Sequence, residues 1–149
     1  MHPHHRSFFQ RHSLSIIASF ILLLWILLYI VSNPATHMGS FYGNAIADWS
    51  GVVVTVIATK FLYERGSVES RRPPPDHAVG RVRHFIHGHS LSIFLVITLG
   101  AWAFAFARMD PNAKWGQVVG NIVSEWTQQL GVVLLTKRFI EVHSKESRA

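Results

Sequence analysis

The sequence predicts an all-α membrane protein: a four-transmembrane-helix bundle made of two tandem helical hairpin repeats in parallel orientation. Three observations predict it. Residues 14–32 and 91–107 are long runs without a charge, the basic residues are sorted to one side of the apolar runs, and the first half of the chain recurs in the second. Composition agrees. Of 149 residues 49% are apolar and only 15% charged, where a soluble domain carries about a quarter charged residues. The absence of cysteine excludes a disulfide framework, thiolate chemistry and an iron–sulfur cluster.

The first helix is expected over 13–32, with Ser13 as N-cap and Asn33-Pro34 ending it. At about 1.5 Å per residue its uncharged run, LSIIASFILLLWILLYIVS, approaches the roughly 30 Å of a bilayer core. That length exceeds the apolar region of a cleaved signal peptide, about 7–15 residues. The third helix, 90–108, repeats the pattern with LSIFLVITLGAWAFAFA and is closed by Arg108 and Asp110-Pro111. The second, 44–64, holds Asp48 and Lys60, and the fourth, 118–140, holds Asn121, Glu125, Gln128 and Gln129. On hydropathy alone, both of these are marginal spans.

Charge placement argues for all four. Arg6 and Arg11 precede the first run; Lys60, Arg65, Arg71, Arg72, Arg81 and Arg83 fall between the second and third; Lys137, Arg138, Lys145 and Arg148 follow the fourth. Only Arg108 and Lys114 lie on the other side, so twelve of fourteen basic residues share one face of the membrane. The positive-inside rule then predicts an inner-membrane protein with both termini cytoplasmic. It also assigns the basic pI near 10.3 to topology, not to nucleic-acid binding.

The repeat strengthens the weak spans. Residues 6–72 align without a gap on 83–149, offset by 77, with about a third of the positions identical. HSLSI occurs at 12–16 and again at 89–93; Pro34, Gly39, Gly43, Asn44, Trp49, Thr59, Lys60 and Glu64 all have their counterparts. Two spans per repeat make the copies parallel, related by an axis along the membrane normal. Residues 68–82, with Arg71, Arg72 and three consecutive prolines, read as a stiff cytoplasmic linker.

The HSLSI helix start, an Asn followed four residues later by an acid and then an aromatic, and the ending FLYERGSVES at 61–70 resemble an uncharacterised family of small bacterial multipass membrane proteins. That family carries a Gln three residues after the acid; Gln128 fits and Gly51 departs. The resemblance implies a bacterial inner membrane and brings no activity with it.

Asn44, Asp48, Gly51, Thr55 and Thr59 share one face of the second helix; Asn121, Glu125, Gln128 and Thr136 share that of the fourth. An acid facing lipid costs about 2.5–3.5 kcal/mol, so this face is expected to turn inward and bring Asp48 and Glu125 to one depth. Three readings stand: interhelical packing, a proton or cation site, and solvation at the outer interface. Lys60 and Lys137 read as snorkelling anchors paired with Glu64 and Glu141 one turn on. His84, His87 and His89 have spacings that suit a metal, and two equivalent histidines suit haem, but none lies inside an apolar run; no cofactor is expected.

No phosphate-binding glycine loop, nucleophile–base pair or metalloprotease motif stands in a fitting context, so the chain is not expected to be an enzyme. The leading expectation is a structural or accessory membrane component whose partner is the lipid bilayer. The alternative is a small proton or cation channel or transporter through Asp48 and Glu125, which calls for a homo-oligomer to line a path. The third is metal or haem binding by the cytoplasmic histidines.

Overall fold

A computed structural model of the chain describes residues 8–67 and 80–139, and these are all-helical. Five helices follow in order: α1 (Phe8–Val31), α2 (His37–Phe61), α3 (Arg81–Gly88), α4 (Ser90–Arg108) and α5 (Lys114–Leu135). α1 packs along α2, α4 along α5, and α2 along α5, so α2 and α5 are central and α1 and α4 flank them. The buried core is small, with Tyr29, Ile46, Ala47, Leu95, Val118, Ile122 and Trp126 at its centre.

α1, α2 and α4 are long and apolar enough to cross a membrane. Their outward surfaces explain why: Phe20, Leu23, Leu24 and Leu27 on α1, and Val96, Ile97 and Phe104 on α4, are all at least half exposed. Such a surface is adapted to lipid. α5 has the length, 22 residues, but carries Lys114, Gln117, Asn121, Glu125, Gln128 and Gln129.

The tight turns that join α1 to α2 and α4 to α5 share one construction. Asn33 Oδ1 accepts from Ala35 N at 3.0 Å, and 77 residues on Asp110 Oδ1 accepts from Asn112 N at 2.9 Å. After each turn a glycine is required. A Cβ on Gly39 would collide with the Asn33 carbonyl, and one on Gly116 with that of Asp110.

Boundaries differ from expectation where polar chemistry sets them. α2 begins at His37, not 44, because Thr36 caps it: its hydroxyl accepts from Gly39 N at 3.1 Å. α5 starts at Lys114, not 118, directly after the Asp110 turn and with Ala113 at its cap position, whose methyl group makes no hydrogen bond to the helix. α2 ends at Phe61, not 64, since Leu62 is extended (φ −106°, ψ 152°) and the chain peels away to another partner. α5 ends at Leu135, followed by a turn over 136–138. α3 is a helix that the apolar pattern does not predict, and its first two residues, 81 and 82, fall in the expected linker. Residues 68–79 of the linker and Glu141 lie outside the described residues.

Candidate functional site

The polar stripe lies along the α2–α5 contact, and it is bonded unevenly. Near the turns, Asn121 Nδ2 donates to Asn44 Oδ1 at 2.5 Å. Two turns further along, the Thr55 hydroxyl donates to Gln129 Oε1 at 2.8 Å, and Gln129 Nε2 donates to Glu125 Oε1 at 2.9 Å. The Glu125 side chain rests on Gly51: a Cβ there would stand 2.5 Å from Oε1 and 2.7 Å from Cγ. Glycine at 51 makes the room that this carboxylate occupies.

Asp48 does not join it. Both acids were expected to turn inward, and only one does: Asp48 is exposed, and Glu125 is half-buried in the seam. The reason lies at the stripe position where the copies differ most in bulk. Facing Glu125 is Gly51, whereas the position equivalent to Gly51 is Gln128. Gln128 points outward, donating from Nε2 to the Ser124 hydroxyl at 3.4 Å. No glycine gap awaits Asp48.

Space along the seam is also uneven. At the turn end a cleft of about 470 Å³ opens between the helices, lined by Ser40, Asn44, Gln117 and Asn121 with Tyr29 and Phe106 at its sides. Toward the other end, between Thr55, Thr59, Gln129 and Val133, it narrows to a void of about 10 Å³, at the lower limit for one water molecule. Tyr29 and Lys114 close the turn end: the Tyr29 hydroxyl donates to Lys114 O at 2.5 Å, and Lys114 Nζ donates to Ser32 O at 2.7 Å and Ile30 O at 3.0 Å. Lys114 thus satisfies carbonyls left open at the end of α1.

A second polar centre sits at the opposite end, where sequence reasoning expected only anchors. Glu64 is fully buried. It forms an ion pair with Lys137, accepts from His89 Nδ1 at 2.6 Å and from Ser92 N at 3.1 Å. Lys60 is not its partner, as an i,i+4 pair would require, because the helix has already ended at Phe61. Lys60 Nζ instead donates to His12 Nδ1 at 2.8 Å. Burial pushes the Glu64 carboxyl up, but Lys137, His89 and Ser92 together outweigh it and hold the group below the usual carboxylate range. The extended segment around it is stitched to the α3–α4 junction: Leu91 N donates to Tyr63 O at 3.1 Å, Arg65 N to Gly88 O at 2.8 Å, and Tyr63 N to the Ser90 hydroxyl at 2.8 Å. HSLSI contains His89, Ser90 and Ser92, and this clamp is what that string builds in its second occurrence.

His84, His87 and His89 do not converge. His84 Nε2 meets the Arg65 guanidinium at 2.9 Å, His87 is exposed, and His89 faces Glu64. Among the described residues no three His, Cys, Asp or Glu side chains are grouped to hold a metal ion.

Compared with protein-family models, curated proteins and solved structures, the chain matches none.

Proposed function

We propose that the chain is a four-span protein of the bacterial inner membrane, with both termini cytoplasmic, serving as a structural or accessory component in which α2 and α5 join two parallel hairpins. In this reading α5 is the fourth span, the turn end faces outward, and the Glu64 end faces the cytoplasm. Support comes from the basic residues: Lys60, Arg65, Arg81, Arg83, Lys137 and Arg138 gather at the Glu64 end, whereas Arg108 and Lys114 stand at the turns. The observation that carries the functional reading is the Thr55–Gln129–Glu125 chain seated on Gly51. Thr55 and Gln129 join α2 to α5, the use that packing in a membrane makes of such groups, Gln129 holds Glu125 within α5, and the inner end of the seam is left too narrow for a hydrated ion.

Proton and monovalent-cation flux into proteoliposomes tests this. Flux indistinguishable from protein-free vesicles is expected, both for the wild type and for Asp48→Asn with Glu125→Gln. Flux in the wild type that the double replacement abolishes would replace this reading with conduction. One observation favours that second reading: exposed Asp48 gains most from a second copy that covers it, given the cost of an acid in lipid. Topology is tested separately with cysteines at Thr36 and Asn112, which should react with an impermeant thiol reagent from the periplasmic side.

A further inference from the structure

α3 has the form of a helix made to lie on a surface. At 100° per residue Val82, Phe85 and Ile86 fall on one face, Arg81 and Arg83 flank it on either side, and His84 and His87 occupy the opposite face. The apolar face is mostly uncovered: the Phe85 ring touches the His89 ring, centroids 4.8 Å apart, yet Val82 is 72% exposed, Phe85 61% and Ile86 50%. Three large apolar side chains held in water on an eight-residue helix need another surface to cover them.

The direction of α3 is fixed by the fold. α3 and α4 are separated by His89 alone, whose backbone (φ −130°, ψ 21°) leaves the helical region and turns α3 off the α4 axis. Gly88 O is held by Arg65 N, His89 Nδ1 by Glu64, and the His84 ring by the Arg65 guanidinium. α3 therefore projects from the end of a membrane-crossing helix at a set angle, within one residue of where that helix begins. The surface adjacent to that point is the bilayer itself.

We infer that α3 is an interfacial helix that inserts Val82, Phe85 and Ile86 among the lipids of the cytoplasmic leaflet and binds anionic phospholipid headgroups through Arg81 and Arg83. An apolar face bordered by arginines is the pattern that such helices use: the rings and branched side chains enter the acyl boundary, and the guanidinium groups remain at headgroup level. The negative potential of anionic lipid favours the arginines. Arg65, held by its contact with His84 on the polar face of α3, adds a further cation at this end of the molecule.

This inference rests on the proposed topology, and its test separates the two. Because the chain has no cysteine, single cysteines carrying an environment-sensitive fluorophore can be placed at Phe85, Ile86, His84 and His87 on α3, and at Ala101 within α4. The labelled full-length protein is reconstituted in vesicles of phosphatidylcholine with phosphatidylglycerol, some containing spin-labelled lipids. Shallow spin labels should quench positions 85 and 86 and spare 84 and 87; deep ones should quench 101. Replacing Arg81 and Arg83 by Gln should lower the enrichment of phosphatidylglycerol around the protein by about fivefold for each arginine removed. If position 101 is quenched and 85 and 86 are as accessible to water as 84, the inference fails and the topology survives. If 85 and 86 are shielded from water yet not quenched by lipid, a protein covers α3, which also overturns it. If 101 is not quenched, the topology and the inference fall together.

Discussion

The hairpins α1–α2 and α4–α5 are built alike at their turns and unlike along their faces. Asn33 and Asp110 nucleate matching turns, Gly39 and Gly116 give each second helix the same close approach, and the Thr59 and Thr136 hydroxyls each donate to the carbonyl four residues back, at 2.6 and 2.9 Å. Between these points, contacts follow the positions where the copies differ. Gly51 admits Glu125, but Gln128 offers Asp48 no such place. Tyr29 hydrogen-bonds across to Lys114, whereas their counterparts are Phe106, which has no hydroxyl, and His37. α1 runs unbroken through His12, whereas a break at the equivalent His89 separates α3 from α4. Shared residues fix the turns, and divergent ones decide which polar groups are used.

The largest effect should come from the clamp. Glu64→Ala leaves Lys137 and His89 facing each other without their carboxylate, and breaking a buried pair from one side costs about 3–5 kcal/mol. Denaturant unfolding in mild detergent should show that loss, and Glu64→Gln a smaller one because the amide keeps some hydrogen bonds. The pH dependence has a defined sign. The folded-state pKa is depressed, so the stability from ionised Glu64 is fully present above the ordinary carboxylate pKa. It is lost as pH falls through the lower folded-state value. Wild-type unfolding should therefore become easier on acidification through and below the usual carboxylate range, with the Gln variant losing this acid-sensitive component.

Next is the seam. Gly51→Val places branched carbons where Glu125 sits and should cost about 1–3 kcal/mol through overpacking. Combining it with Glu125→Ala should recover part of the loss, a non-additivity that a double-mutant cycle reads. Losing the Asn44–Asn121 bond through Asn44→Ala should cost less, about 0.6–2 kcal/mol.

The smallest effect should be at Asp48. The carboxylate is exposed and makes no hydrogen bond or ion pair with the described residues, so Asp48→Asn should change stability by no more than about 0.5 kcal/mol. Equal losses from Asp48→Asn and Glu125→Gln would erase the asymmetry between the hairpins.

Much of the fold is legible in the sequence because uncharged runs and proline-bounded turns carry strong local signals. Helix α4 was expected at 90–108, its observed bounds, since His89-Ser90 and Arg108 mark both ends. Residues 37–43 and 114–117 do not read as helix because glycines and polar residues interrupt their apolar pattern, and the turns before them place them. α3 was hidden by its length: eight residues with charges on either flank give little helical periodicity to count. The pairing of Asn44 with Asn121 follows from the shared stripe, but the outward turn of Asp48 does not. It depends on which glycine faces which acid across two helices, a long-range fact that no spacing within one helix contains. Glu64 shows the same limit, since its partners lie 25 and 73 positions away, on other elements.

The seam itself admits one direct measurement. In a chain without native cysteine, Asn44→Cys with Asn121→Cys should oxidise in native membranes to an intramolecular disulfide, giving a faster-migrating monomer in non-reducing electrophoresis, while Asp48→Cys with Asn121→Cys should cross-link far less. A disulfide-linked dimer from the first pair, or equal cross-linking by both, would contradict the side-by-side packing of α2 and α5 within one chain.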